Sequence, residues 1–349
     1  MNCKLAAVGL CCAVIASGGL PASAGARTHL VWAGGTQSFK KALRARFKAE
    51  VNDFFPHRVT VRQGDTVQWR GMWSGFYSVD FPGKDGTDLP FILPTNTTAD
   101  GLTDFAGNPF WFNGQPNLAF NPTLFAASGA STYNGSARVE SGLPEGRPVT
   151  FGLTFTKPGT YVYYCDLHYG MRGVVVVTPK KAKIPTPAQE DGQIAAQQAR
   201  DSKIAKTLAR TQLSGMVSVG LSGKDSVEIL AMFPPTLNVH TGDTVTFAMP
   251  TTTGEIHTAT FGPPDYLRPL DTSVANPTPP ATVVYPSSQS GPIDVPGTHG
   301  NGFANSGGLD RGDDTPFKGQ AKFTFTAPGT YQYVDLLHPF MHGTIVVSP

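Results

Sequence analysis

The sequence predicts an all-β protein built as two tandem β-sandwiches joined by a partly helical linker. Three observations carry that prediction. Charged residues make up only 15% of the 349-residue chain, while 39 glycines and 30 prolines supply turns, a balance suited to short strands rather than helical bundles. Two stretches of the chain repeat each other. Between them the composition shifts abruptly to Ala, Gln and Lys.

The N-terminus places Lys4 before the apolar run "LAAVGLCCAVIAS" and the small-residue stretch "PASAGA". That layout is a secretory signal peptide, expected over residues 1–24, and the run is too short to span a bilayer comfortably. No later segment is apolar for long enough to cross a membrane, so an exported protein is expected. A net charge of +2 gives no basic face for nucleic acid. Cys3, Cys11 and Cys12 fall in the signal, leaving Cys165 alone in the mature chain. A single cysteine in an exported protein is buried, reactive or metal-bound.

The repeat defines two domains, expected at 27–179 and 213–349. "RVTVRQGDTVQW" (58–69) answers to "TLNVHTGDTVTF" (236–247), and "TFTKPGTYVYY" (154–164) to "TFTAPGTYQYV" (324–334). "GDTV" and "PGTY" each set a turn before an alternating strand. Each copy is therefore one unit of strands and Gly/Pro-rich loops, as in a β-sandwich. The linker, 180–212, opens on the extended "PKKAKIPTP" and continues as a solvated helix. Each copy carries a long insert, roughly 82–148 and 262–318. The first, rich in aromatics, is expected to cover one end of its sandwich or a neighbouring domain or subunit. The Arg311–Asp313 "RGD" is taken as solvated loop, the Asn96 and Asn134 sequons matter only in a glycosylating host, and the basic run Lys40, Lys41, Arg44, Arg46 and Lys48 is taken as a wet face or a docking patch for an acidic partner.

The chemistry concentrates in "YYCDLHYGMRGVVVV", where Cys165, His168 and Met171 follow the spacing C-x2-H-x2-M between two strands. A loop can turn all three toward one point. Thiolate and thioether are soft and imidazole is borderline, so the set suits copper better than calcium, magnesium or manganese, and Cys with two His and a weak axial Met is the blue-copper arrangement. The second copy, "YVDLLHPFMHGTIVV", keeps His338 and Met341 but puts Asp335 where the cysteine stood.

These loops, with "GDTV" and "PGTY", resemble those of the cupredoxins, the plastocyanin and amicyanin group, and the short Cys-to-Met spacing is nearest to amicyanin. The resemblance covers roughly 51–179 and 215–349, without the inserts, and implies Greek-key sandwiches holding copper for electron transfer. It also implies a further histidine from an earlier strand, in a context like "H-T-x-T-F". The second copy has it as His257 in "GEIHTATF"; the first has Tyr77 in "SGFYSVDF".

Each copy thus departs from the family at a different ligand. In copy two His257, His338 and Asp335 form an N,N,O set suited to Cu(II) or Zn(II). In copy one a tyrosine with an ordinary pKa near ~10 is a poor ligand at neutral pH, leaving Cys165, His168 and Met171 as a soft set for Cu(I). His29, His57, His240, His299 and His342 are expected to be surface or hydrogen-bonded histidines, with His342, beside Met341, the one placed to reach a site. The resemblance implies copper binding with one-electron transfer or copper handling, and a redox partner protein. Alternatives are a two-domain copper oxidoreductase resembling nitrite reductase, which would need a third histidine, and a metal-free module that kept the sandwich. The absence of paired H-x-H motifs counts against an oxygen-reducing trinuclear cluster.

Overall fold

The computed structural model describes residues 25–84, 86, 89, 92–94, 118–120, 122–144, 150–251, 254–262, 292–293, 304–310 and 319–349. The expected signal segment, Asn96, His299 and the Arg311–Asp313 tripeptide lie outside them. The first half contains β1 (Thr28–Ala33), α1 (Gln37–Phe47), β2 (Ala49–Val51), β3 (Phe54–Phe55), β4 (Arg58–Arg62), β5 (Thr66–Arg70) and β6 (Asp80–Phe81). It continues with a short pair, β7 (Ile92–Pro94) and β8 (Leu118–Phe120), then β9 (Thr132–Tyr133), β10 (Val139–Glu140), β11 (Phe151–Phe155), β12 (Gly159–Tyr164) and β13 (Arg172–Thr178). Helix α2 (Pro187–Leu208) follows, and the second half runs through β14 (Val217–Ser222), β15 (Val227–Phe233), β16 (Thr236–His240), β17 (Thr244–Ala248) and β18 (Thr260–Phe261). It ends with β19 (Pro292–Ile293), β20 (Ala304–Asn305), β21 (Gln320–Phe325), β22 (Gly329–Val334) and β23 (His342–Ser348).

The fold is two β-sandwiches with one strand order. In the first, the sheet β9-β11-β5-β1-β3 faces β10-β6-β12-β13-β4; in the second, β19-β21-β17-β14-β15-β2 faces β20-β18-β22-β23-β16. Parallel and antiparallel pairings correspond strand for strand, with β1 parallel to β5 as β14 is to β17, and β13 parallel to β4 as β23 is to β16.

The repeated tetrapeptides make the same bonds in both copies, which is why they recur. Asp65 Oδ2 accepts from Arg62 N at 2.9 Å and Asp243 Oδ2 from His240 N at 2.7 Å, closing the turn before β5 and β17. The tyrosines of "PGTY" donate back over their own turns, Tyr161 Oη to Lys157 O and Tyr331 Oη to Ala327 O, each at 2.9 Å. Period-two alternation along β5 and β17 then sends Val67 and Trp69, and the matching Val245 and Phe247, into the two cores. Trp69 packs edge-on against Phe81 and Tyr163, and Phe247 against Phe261 and Tyr333.

A third apolar cluster locks the halves together. It joins Phe39 and Leu43 of α1, Ala49 and Val51 of β2, Phe55, Ile194 and Ala205 of α2, and Leu221, Val227 and Ile229 of the second sandwich. Helix α2 starts on a capping box, Thr186 with Gln189, with Pro187 in its first turn. Strand β2 leaves the first half and pairs antiparallel with β15, Ala49 opposite Ile229 and Val51 opposite Val227. Residues 49–51, inside the expected span of the first domain, therefore complete a sheet of the second sandwich. No helix among the described residues is long and apolar enough to cross a membrane.

The basic run is not uniformly a wet face. It lies on α1, where Arg44 pairs with Glu50 at 2.8 Å, but Lys40 turns inward over the Tyr77 ring, 4.8 Å from its centroid, and donates to Gly71 O and Ser74 Oγ. Burial pulls the Lys40 ammonium down to about 7, against the opposing pull of Glu50. The helix presents every third or fourth residue to the sandwich, and Lys40 falls on that face beside Phe39 and Leu43.

Candidate metal centres

The two chemistry-bearing loops fold alike, bond for bond. Cys165 N donates to Met171 O and Asp335 N to Met341 O, both at 2.9 Å. Met171 N donates to His168 O at 3.0 Å and Met341 N to His338 O at 2.7 Å. From the earlier strand, Ser78 Oγ accepts from Asp166 N and Thr258 Oγ1 from Leu336 N, both at 2.9 Å. These bonds bring Tyr77 beside one loop and His257 beside the other. The Tyr77 and His168 rings lie 4.8 Å apart at 43°, and the His257 and His338 rings 4.8 Å apart at 45°. Tyr77 thus occupies the place in copy one that His257 occupies in copy two. A glycine makes room in each: Gly34 at φ +68° under Tyr77, and Gly220 at φ +86°, where a Cβ would lie 2.9 Å from His257 Nε2.

In copy two, one ligand atom from each of His257, Asp335 and His338 lies within 4.8 Å of the others. Both imidazole Nδ1 atoms donate to Asp335 Oδ2, at 2.6 and 3.0 Å, while Asp335 Oδ1 accepts from Thr258 N and Leu337 N, each at 3.0 Å. His257 and Asp335 are fully buried. Burial opposes a charge on Asp335, but the His338 and His257 imidazoles outweigh it and hold the carboxyl well below the usual carboxylate range. His338 is pushed up to about 10 against its own burial, through Asp335 and Glu255. The donors fit a divalent cation of the first transition row: a cation among these three atoms would replace the Nδ1 protons that now hold the carboxylate.

In copy one, Cys165 Sγ lies 3.2 Å from His168 Nδ1 and accepts from Ser78 N at 3.4 Å. Cys165, His168 and Met171 are all buried. Tyr77 does not complete the set. Its hydroxyl donates to Asn52 Oδ1 at 3.3 Å, and burial, with the Glu50 and Glu255 charges, holds the phenol well above its ordinary value. The soft Cys165 thiolate and the borderline His168 imidazole, with Met171 at the loop's end, fit a thiophilic cation of low coordination number.

Residues outside the ligand motifs frame both loops. Glu255, two positions before His257, places Oε1 3.2 Å from His168 Nε2 and Oε2 3.6 Å from His338 Nε2, and Asn52 Nδ2 donates to its Oε1 at 2.8 Å. The two loops therefore face each other across the seam between the sandwiches. A second group, Asp80, Glu140 and Asp166, also gathers carboxylate oxygens within 4.8 Å, with Arg138 paired to Asp80. The matching positions of copy two hold Thr260, Asn305 and Leu336, and Asn305 Nδ2 donates to Thr260 Oγ1 at 2.6 Å. Burial, then the Asp166 and Asp80 charges, push Glu140 up to about 10, so it keeps a proton at neutral pH. Glu255 and this cluster carry no motif in the sequence. Each showed only as a lone acid amid apolar or small residues.

The remaining described histidines stay out of both sites. His29 is buried between Asp65 at 3.1 Å and Glu190 at 2.9 Å, His57 pairs with Asp53 at 2.9 Å, and His240 is exposed. His342, placed by sequence within reach of the second site, is exposed at the start of β23, while its neighbour Met341 is buried. Alternation along the strand sends the two side chains to opposite faces.

Fold and site together define a class: a two-sandwich β protein whose paired loops bring sulfur, imidazole and carboxylate side chains together in its interior. No family model matches the chain. Among solved structures, a reduced mutant of amicyanin is 21% identical over 40% of this chain and 89% of its own, with a TM-score of 0.21. Auracyanin B is 21% identical over 40% of this chain and 93% of its own, with a TM-score of 0.26. The reduced auracyanin of the photosynthetic bacterium Roseiflexus castenholzii is 23% identical over 38% and 95%, again with a TM-score of 0.26. At these scores the likeness adds no weight to the strand pairing above.

Proposed function

We propose that this chain is an exported copper-binding protein of the cupredoxin type, with domains at 27–179 and 213–349 joined by the linker 180–212, and that it serves one-electron transfer or copper handling with a redox partner protein. Copy two binds Cu(II) through His257, His338 and Asp335, with Met341 at the loop's end. Copy one binds Cu(I) through Cys165, His168 and Met171. The observation that supports this most directly is the convergence of two imidazole Nδ1 atoms on one buried carboxylate oxygen, at 2.6 and 3.0 Å. A carboxylate and two imidazoles gathered in the interior are costly to keep for packing alone.

Bound copper would supply a one-electron redox couple. The chain's own residues orient and shield it. Thr258 and Leu337 amides hold Asp335 oriented toward the histidines, the Ser78 amide does the same for Cys165, and the β-sandwich cores exclude water from the far side of each loop. Metal content and Cu(I)/Cu(II) titration of the protein, exported from its host, test the proposal. The expected result is up to two coppers per chain, with weak absorption from the carboxylate site. A chain that takes up no copper in either oxidation state would overturn it.

A further inference from the structure

We propose that Glu255 is a positioning residue shared by the two centres, so that one carboxylate orients a ligand histidine in each sandwich and couples them. This rests on the copper-binding reading above. His168 and His338 are equivalent residues of the two loops. Each faces its own site with Nδ1, toward Cys165 at 3.2 Å and Asp335 at 3.0 Å. Each turns Nε2 to the same side chain, His168 to Glu255 Oε1 at 3.2 Å and His338 to Glu255 Oε2 at 3.6 Å. An imidazole that holds a metal through Nδ1 carries its proton on Nε2, and the acceptor of that proton fixes the tautomer, the ring plane and the basicity of the ligand. Here one carboxylate faces both rings, one oxygen to each.

The arrangement is built into the seam. Glu255 is 8% exposed, and Asn52 of the first half donates to its Oε1 at 2.8 Å. Its neighbour Gly254 donates through N to Glu228 Oε1 at 2.9 Å and sits so near the first loop that a Cβ there would lie 3.1 Å from Tyr169 O. Only one copy supplies the carboxylate. The aligned position of copy one is Gly75, where a Cβ would lie 2.5 Å from the Tyr77 ring, so a second acid has no room. Glu50 of β2 is close by but is paired to Arg44 at 2.8 Å. Charge arriving at either centre therefore acts on the same carboxylate that faces the other centre's histidine.

The test separates the sites. Cu(I) affinity of copy one is measured by competition with a chromophoric chelator in an Asp335→Ala background, and Cu(II) affinity of copy two in a Cys165→Ser background. Adding Glu255→Gln is expected to weaken copy one by about 10- to 100-fold, the usual cost of removing a ligand's outer partner, and copy two by less, since its contact is an ion pair at 3.6 Å, with Glu255→Asp restoring part of each. With Cu(I) in copy one and diamagnetic Zn(II) in copy two, the His168 and His338 Nε2–H resonances are expected to be protected from solvent exchange and to lose protection together in Glu255→Gln. If both backgrounds bind copper and Glu255→Gln weakens only one copy, or neither, the shared role is overturned. If neither background nor the parent chain binds copper, the functional proposal falls and this inference with it.

Discussion

Replacing Tyr77 by histidine asks whether copy one is one ligand short of a complete soft site. The Tyr77 ring lies against His168 as His257 lies against His338, so an imidazole at position 77 falls where copy two places His257. The substitution has costs. The hydroxyl bond to Asn52 is lost, about 1 kcal/mol. The Lys40 contact over the ring weakens, about 0.5 kcal/mol. The smaller ring leaves a gap in a fully packed place, about another 1 kcal/mol. The metal-free variant is therefore expected to be less stable by about 2–3 kcal/mol in urea unfolding. Copper acts the other way, because a ligand present at a thousand times its dissociation constant stabilises by about 4 kcal/mol. With saturating Cu(II) the variant should match or exceed the copper-free parent. It should also show intense thiolate-to-copper absorption, since Cys165, His168 and the imidazole introduced by Tyr77→His form a trigonal set. A variant that folds and binds Cu(II) without intense absorption would refute the equivalence of Tyr77 and His257.

Three further outcomes follow from the same geometry. Asp335→Ala strips the acceptor from two amides, Thr258 and Leu337, at about 1–3 kcal/mol each, so urea unfolding should show a loss of about 2–6 kcal/mol together with loss of Cu(II) binding by copy two; a loss below about 1 kcal/mol would contradict it. Glu140 keeps in the fold a proton that the unfolded chain releases above its ordinary value of 4.5. Its contribution is thus intact below that pH and is lost as pH rises toward about 10. Glu140→Gln should flatten the decline in the urea midpoint between pH 6 and pH 9, and an unchanged slope would show that Glu140 does not govern it. Residues 213–349 expressed alone lack β2 and leave the β15 edge with Val227 and Ile229 uncovered, so light scattering should show association; a clean, stable monomer would mean that β2 is dispensable.

The repeat, the two sandwiches and the paired loops were legible because each rests on local chemistry. "GDTV" and "PGTY" write a turn and the strand after it, and their bonds close within a few residues or to the neighbouring strand. The loops C-x2-H-x2-M and D-x2-H-x2-M carry their own backbone ladder, so a spacing in sequence becomes a spacing in space. Tyr77 could be aligned with His257 because the strand beside it repeats. What was not legible depends on groups far apart in the chain. Glu255 has meaning only once His168 and His338 are brought to one seam, and nothing in "GEIHTATF" says where His168 goes. Strand β2 is three residues, too short for an alternation to show, and its partner is decided by the edge that β15 offers. Lys40 looked solvated because its neighbours are basic, yet helical geometry turned it inward. The insert strand β10 answers to β20 only as "ESG" against "NSG", with a carboxylate in one copy and an amide in the other.

The β2–β15 pairing also fixes an order of events during synthesis. Residue 49 leaves the ribosome long before residue 229, its partner, so the first sandwich can close while one of its connecting segments is still without a sheet to join. Until then Ala49 and Val51 have no apolar surface from the second half against which to pack. Assembly of the second sandwich must wait for a contact of very long sequence separation, the kind that slows folding most. A pause or truncation after α2 would thus leave a half-molecule with an open edge, ready to accept β15 from another chain.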